Sequence, residues 1–294
     1  MNDIDRTTTI RVGGAARCTV PALSVRLVGS FALSRGGAPI ALQGGCERLV
    51  AFLALQRRPV SRATIAGALW PDASQERAGS CLRSALDRMD DARAAIAANR
   101  LELALDAEVV VDLGEGEALA RRLVRADTVT AADDMTSAAI SALSEDVLPD
   151  WYDDWVTIEA EAWRQLRLHA LEAMTKELLT LGHFSAAIEA ARAAIAVDPL
   201  RESPHAALIR VHLAEGNQSE ALSAFAAYKS LLNEELGIAP TANIENLVRA
   251  IQRHRRAGDA LRPTEPSVRE GPRFAPQRGA RARAGRPVPP PQAS

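Results

Sequence analysis

Between Ser74 and Met89, Arg77, Ser80, Arg83, Ser84, Asp87 and Arg88 fall on one side of a helical wheel. A guanidinium can donate two parallel hydrogen bonds to guanine O6 and N7, which is worth about 1 to 3 kcal/mol of base discrimination. Arg83 and Arg88 are therefore candidates for reading bases, and Ser80 and Ser84 for base or phosphate contacts. Arg77 lies near the start of the same helix and suits a phosphate, because the positive end of a helix dipole favours anions there. Arg57, Arg58 and Arg62 form a second cluster on a turn and are further phosphate candidates. The plain alternative for each group is a solvated, charged surface.

Other chemistries lack their residues. Each of the two lysines, Lys176 and Lys229, lacks the preceding glycine of a phosphate-cradling G-K-[ST] loop, which excludes a P-loop NTPase. His169, His183, His205, His212 and His254 form no H-E-x-x-H motif and no pair suited to zinc. Cys18, Cys46 and Cys81 contain no C-x-x-C pair, and Cys81 reads as a small buried residue. There is no G-x-S-x-G elbow and no glycine-rich dinucleotide fingerprint. The expectation is a protein that binds rather than catalyses, with no cofactor and no metal.

The elements that must carry the arginines can be read from periodicity. Ser24 to Gly45 contains two β-type runs broken by Arg35-Gly36-Gly37-Ala38-Pro39, which predicts a hairpin. A helix follows from about Cys46, with Leu49, Val50, Leu53 and Ala54 as its apolar stripe and a stop at Pro59. Ser61 caps a short second helix ending at Trp70-Pro71, with Trp70 in the core. Ser74 caps the third, whose inner face is Ala78, Cys81, Leu82, Ala85, Leu86 and Met89. Leu101, Leu103 and Leu105 then alternate with polar or small residues, and Val109 to Asp112 follow a short turn, predicting a second hairpin. Strands, three helices and a hairpin are the order of a winged helix-turn-helix, whose third helix can lie in the DNA major groove.

Residues 116–251 read as helical almost throughout, with breaks near Thr128, Pro149, Gly182, Pro199, Gly216 and Gly237. Leu181-Gly182-His183-Phe184 and Glu215-Gly216-Asn217-Gln218 start corresponding stretches 34 residues apart, and Ala187 and Ala221 keep that offset. This is the tetratricopeptide period, with a small residue where two helices approach closely. Trp151, Trp155 and Trp163 are placed on one helix that packs as a divergent cap.

The predicted fold is mostly α, with an N-terminal winged helix-turn-helix containing two β-hairpins followed by an all-α tetratricopeptide-like domain. The boundaries are a flexible segment 1–23, a winged helix 24–112, a helical domain 113–251 and a disordered Arg/Pro-rich tail 252–294. At 294 residues, two cores are expected rather than one. The net charge of −2 conceals +1 for residues 24–112, −9 for 145–251 and +7 for 252–294. The longest apolar run, Leu49 to Leu55, is too short to span a membrane. The polar start MNDIDRTTTIRVGG has no secretory pattern, so a cytoplasmic location without membrane contact is expected.

Four segments stand together: VRLVGSFALSRGGAPIAL, Ala66 to Pro71, Cys81 to Leu86 with Arg83, and Leu148-Pro149-Asp150-Trp151-Tyr152-Asp153-Asp154-Trp155. They resemble the Streptomyces antibiotic regulatory proteins, a family of bacterial transcriptional activators. Asp198 to His205, Ala214 to Asn217 and Glu234 to Pro240 are similar to that family's bacterial transcriptional activator domain. The resemblance covers roughly residues 24–251. It implies an activator that binds direct repeats in double-stranded DNA, contacts RNA polymerase and often serves secondary-metabolite genes.

It also implies that the loop between helices two and three, Pro71, Asp72 and Ala73, can touch polymerase. Weak binding by one copy makes a homodimer on repeated half-sites the natural arrangement. Two features depart from the family. The expected wing, Leu101 to Asp112, has no basic residue, and Asp87 on the third helix would repel phosphate. These favour a rival reading, a protein-interaction scaffold built on the helical repeats. A small-molecule sensor, with a ligand between the helices, is a third.

Overall fold

A computed structural model describes residues 23–125 and 134–249. The expectations for 1–22, for the break at Thr128 and for the tail 252–294 lie outside these residues.

The chain opens with β1 (Ser24–Arg26), β2 (Ala32–Arg35) and β3 (Ala38–Ile40), all antiparallel. Gly36 and Gly37 have φ of 55° and 86°, the positive values that a two-residue hairpin turn requires at both centres. Next come α1 (Gly44–Gln56), β4 (Val60–Ser61), α2 (Arg62–Leu69) and α3 (Gln75–Asp87). The Ser61 hydroxyl accepts from Thr64 N at 3.1 Å and the Ser74 hydroxyl from Arg77 N at 3.4 Å, so both expected caps are in place. α1 buries every residue from Leu49 to Leu55, more than the single stripe expected, because it is covered on several sides.

The second hairpin differs from the one read in the sequence. A 3-10 turn, Asp90–Ala95, leads into β5 (Ile96–Ala98), which pairs antiparallel with β6 (Glu102–Leu105), and β4 adds to the other edge of β6. The wing thus runs backwards from Leu105 to Ile96 and turns at Asn99-Arg100-Leu101. The segment expected as its second strand is β7 (Val110–Val111), which leaves the wing and pairs parallel with β1 in the other sheet. Two hairpins and three helices make a winged helix-turn-helix.

Further helices follow: α4 (Asp112–Val124), α5 (Ser137–Ser144), α6 (Asp154–Thr180), α7 (Phe184–Val197), α8 (Glu202–Glu215) and α9 (Gln218–Leu236). Residues 242–249 are also helical. The 34-residue offset is visible atom by atom. His183 N donates to Leu178 O at 2.9 Å, and Asn217 N to His212 O at 2.8 Å. Gly182 and Gly216 both take left-handed φ, 75° and 86°. Ala187 and Ala221 are both fully buried where the helices of each hairpin meet.

One apolar cluster runs from Leu23 to Val211, so the first half shares its core with the helices that follow. Tryptophans make the joint. Trp151 lies just before α6 rather than on it, and packs on Phe31 at 5.8 Å; Trp155 meets Phe52 edge-on at 5.3 Å. Buried Trp163 donates from Nε1 to Glu145 O at 3.0 Å. Backbone bonds cross the joint too: Leu148 N to Leu27 O at 3.0 Å and Gly29 N to Asp146 O at 2.7 Å. Asp112 accepts from Leu27 N and Val28 N and anchors α4 to the segment after β1. Burial pushes its carboxyl up, against the opposing effect of these backbone hydrogen bonds.

Candidate nucleic-acid interface

α3 is amphipathic because Ala78, Leu82 and Ala85 are buried at helical spacing, followed by Met89 just past its end. That inner face turns Arg77, Ser80, Arg83, Ser84, Asp87 and Arg88 outward, all exposed. The Ser80 hydroxyl donates to Glu76 O at 3.1 Å and accepts from Arg83 Nη2 at 2.8 Å, which aims the Arg83 guanidinium while leaving its other donors for an outside acceptor. Arg88 donates from Nε to Ser84 O at 3.0 Å and from Nη1 to Gln43 Oε1 at 3.3 Å.

Each flank of α3 forms a groove. On one side a groove of about 460 Å³ runs between α3 and the first turn of α1, where Arg77, Ser80, Ser84 and Arg88 face Gly44 and Gly45. Gln43 at the N-cap makes no side-chain bond to that turn, so its N–H groups lack the usual capping acceptor. On the other side a groove of about 480 Å³ holds Arg83 and Arg62, with Ala66, Gly67 and Gly79 between them. Arg62 also reaches the wing, donating from Nη2 to Asn99 O at 3.2 Å and from its backbone N to Leu101 O at 2.9 Å. The start of α2 and the wing tip are thereby tied together beside α3, and exposed Arg100 at the tip supplies the basic residue that the expected wing, starting at Leu101, lacks.

The cluster at the turn divides. Arg58 is exposed and, among the described residues, makes local bonds to Pro59 O at 3.3 Å and Gln56 Oε1 at 3.5 Å. Arg57 is committed elsewhere, with Nη1 to Glu117 Oε2 at 2.6 Å and Nη2 to Glu117 Oε1 at 2.5 Å. Arg121 joins the same carboxylate at 2.8 Å. Burial alone would raise the Glu117 pKa, but the hydrogen bonds and charges of Arg57 and Arg121 outweigh it and hold it below the usual carboxylate range. An arginine with both terminal nitrogens on a buried carboxylate is a poor phosphate ligand, and Arg57 leaves the candidate set.

In the loop before α3, Pro71 and Asp72 are exposed and Ala73 is half-buried. Trp70, expected in the core, is half-buried and borders both grooves. Cys81 is also only half-buried, whereas buried Cys46 donates its thiol to Ala85 O at 3.3 Å. Burial pushes the Cys46 thiol up, away from the reactive thiolate. Among the described residues no group of His, Cys, Asp and Glu could hold a metal, and no helix is long and apolar enough to cross a membrane.

Residues 105–252 match the family model for the bacterial transcriptional activator domain. The chain belongs to that family. Among solved structures, this activator-domain protein is similar to EmbR from Mycobacterium tuberculosis, determined in complex with a low-affinity phosphopeptide. The TM-score is 0.61 at 25% identity, over 79% of this chain and 65% of that one. The chain therefore spans less than two thirds of the EmbR chain. No curated protein sequence gives a match. These findings bear out the resemblance to the Streptomyces antibiotic regulatory proteins.

The activator-domain motifs are braces between helices. His205 bonds through Nε2 with Pro199 O at 2.9 Å and stacks on Tyr228 at 4.1 Å, while the Tyr228 hydroxyl donates to Leu200 O at 3.2 Å. Glu202 accepts from the backbone N of Thr241 at 2.9 Å and from its hydroxyl, which ties the chain after Pro240 to the start of α8.

Proposed function

We propose that this chain is a sequence-specific DNA-binding transcriptional activator. The observation that carries the reading is the exposed α3 face, with Arg83 aimed by Ser80 and flanked by Arg77, Arg88, Arg62 and Arg100. α3 lies in the major groove, where Arg83 and Arg88 read bases. Arg77, Arg58 and Arg62 hold phosphates, with Ser80 and Ser84 adding shorter contacts. Residues 24–112 form the DNA-binding part and 113–251 the tetratricopeptide-like activator part. The Pro71-Asp72-Ala73 loop faces RNA polymerase. The protein acts in the cytoplasm, as a homodimer on promoter-proximal direct repeats, and secondary-metabolite genes are the candidate targets.

The charge distribution supports a dimer. With +1 on residues 24–112 and −9 on 145–251, one copy has little general attraction for DNA and must rely on a few placed arginines. Exposed Asp87 favours the rival scaffold reading, in which the helical repeats bind a protein. A salt titration separates the two. Affinity for a selected duplex should fall steeply as salt rises, and Arg77→Ala should lower the log–log slope by about one. A partner bound with no salt dependence, together with no retained duplex, would leave the scaffold.

A further inference from the structure

The wing tip carries a feature that phosphate binding does not use. Leu101 is 73% exposed, although the two residues that follow it enter a paired strand and Leu103 is buried. Turn tips ordinarily take small or polar residues, and this one instead holds a large aliphatic side chain out in solvent beside exposed Arg100. The tip is also closely hydrogen-bonded. Asn99 Oδ1 accepts from Leu101 N at 2.8 Å and Glu102 N at 2.7 Å, and Asn99 N donates to Glu102 O at 3.1 Å. Arg62 takes the two outward carbonyls, Leu101 O through its backbone and Asn99 O through its guanidinium. With the N–H and C=O of Leu101 both bonded, the side chain is the part of the residue left free.

Resting on the DNA-binding reading, we infer that Leu101 is an apolar probe of the DNA minor groove that selects A·T pairs beside the bases read by α3. Arg62 links the tip to the groove that holds Arg83, so a tip standing beside a major-groove helix meets the flanking minor groove. That groove is about 6 Å wide, too narrow for the hairpin itself but open to single side chains that reach in from its tip. Its walls are deoxyribose, against which the leucine methyls pack. Its floor is smooth at A·T pairs and obstructed by the guanine N2 amino group at G·C pairs. Arg100 is drawn by the negative potential of a narrow A·T-rich groove, and the leucine beside it converts that attraction into a steric test. Glu102, which follows Leu101, is half-buried and pairs through its backbone with Asn99.

The test uses the full chain and duplexes that it selects from a random pool. Replacing flanking adenines with 2,6-diaminopurine adds the minor-groove amino group and leaves the major-groove acceptor and donor of adenine in place. The parent should bind the substituted duplex about tenfold more weakly, the factor that burying part of one leucine supplies. Leu101→Ala should bind the unsubstituted duplex about tenfold more weakly and lose little more on substitution, whereas Arg83→Ala should keep the diaminopurine penalty. The site is exposed, so circular dichroism should show Leu101→Ala folded as the parent. Parent-like affinity in Leu101→Ala, or an undiminished diaminopurine penalty in it, overturns the inference and leaves the regulator reading standing. A parent that retains no duplex overturns both.

Discussion

Arg57 and Arg58 are neighbours with the same side chain, and the structure assigns them opposite consequences. Arg57→Ala removes two charge-assisted hydrogen bonds from Glu117, whose side chain is 10% exposed, and leaves that carboxylate with Arg121 alone. Hydrogen bonds to charged groups contribute about 1.5 to 3 kcal/mol, and breaking a fully buried pair costs about 3 to 5 kcal/mol. The Arg57 side chain is 39% exposed, so water recovers part of the loss and the expected cost is about 2 kcal/mol. In a unit of this size that lowers Tm by about 4 to 8 °C.

The deficit has a pH signature. A carboxyl whose folded pKa is depressed stabilises the fold above its unfolded value near 4.3, and that stability is lost as pH falls through the folded value. The gap in Tm between parent and Arg57→Ala should thus be full at pH 7 and shrink below about pH 4. A double-mutant cycle with Glu117→Ala should give a coupling of about 1 kcal/mol. DNA affinity of folded Arg57→Ala should stay within about twofold of the parent, while Arg58→Ala should bind more weakly with a shallower salt slope. An unchanged Tm in Arg57→Ala, with the shallower salt slope appearing there, would refute the assignment.

Two glycines on α4 should answer to alanine with opposite signs. A Cβ at Gly116 would stand 3.0 Å from Cη2 of buried Trp163, so Gly116→Ala should destabilise by about 1 to 3 kcal/mol. Gly114 faces open space, and Gly114→Ala should raise Tm through helix propensity; the two melts side by side check the pair. His205 is buried, which lowers its pKa against the opposing bond to Pro199 O. The stability it supports is complete above the unfolded value near 6.5 and is lost as pH falls through the lowered folded value, so Tm should drop between pH 7 and 5. His205→Phe keeps a ring on Tyr228 and should flatten that drop; an identical drop in the variant would assign it to other groups.

α3 was legible because its inner face repeats every three or four residues and Ser74 marks its start. The 34-residue repeat was legible because Gly182 and Gly216 fill the same left-handed position after their helices, which glycine enters without steric cost. The wing was misplaced for a reason that lies in its residues. Ile96-Ala97-Ala98 has little strand character, so alternation first becomes visible at Leu101, which is the tip rather than the start of a strand. β7 pairs with β1 across some 85 residues, a partner that no local pattern names. Trp151 and Trp155 read as part of a cap for the helical repeats because their partners, Phe31 and Phe52, lie far back in the chain. Arg57 was grouped with Arg58 and Arg62 by proximity in sequence, and Glu117, sixty residues on, removes it from the group.

The central claim is that α3 reads bases through Arg83. The most direct measurement is selection of duplexes from fragmented genomic DNA at near-physiological salt, with the parent and Arg83→Ala in parallel. The parent should enrich direct repeats upstream of genes, and Arg83→Ala, folded as judged by circular dichroism, should lose the preference at one position of each half-site while keeping general DNA affinity. The same repeats enriched by Arg83→Ala with every position intact would contradict it.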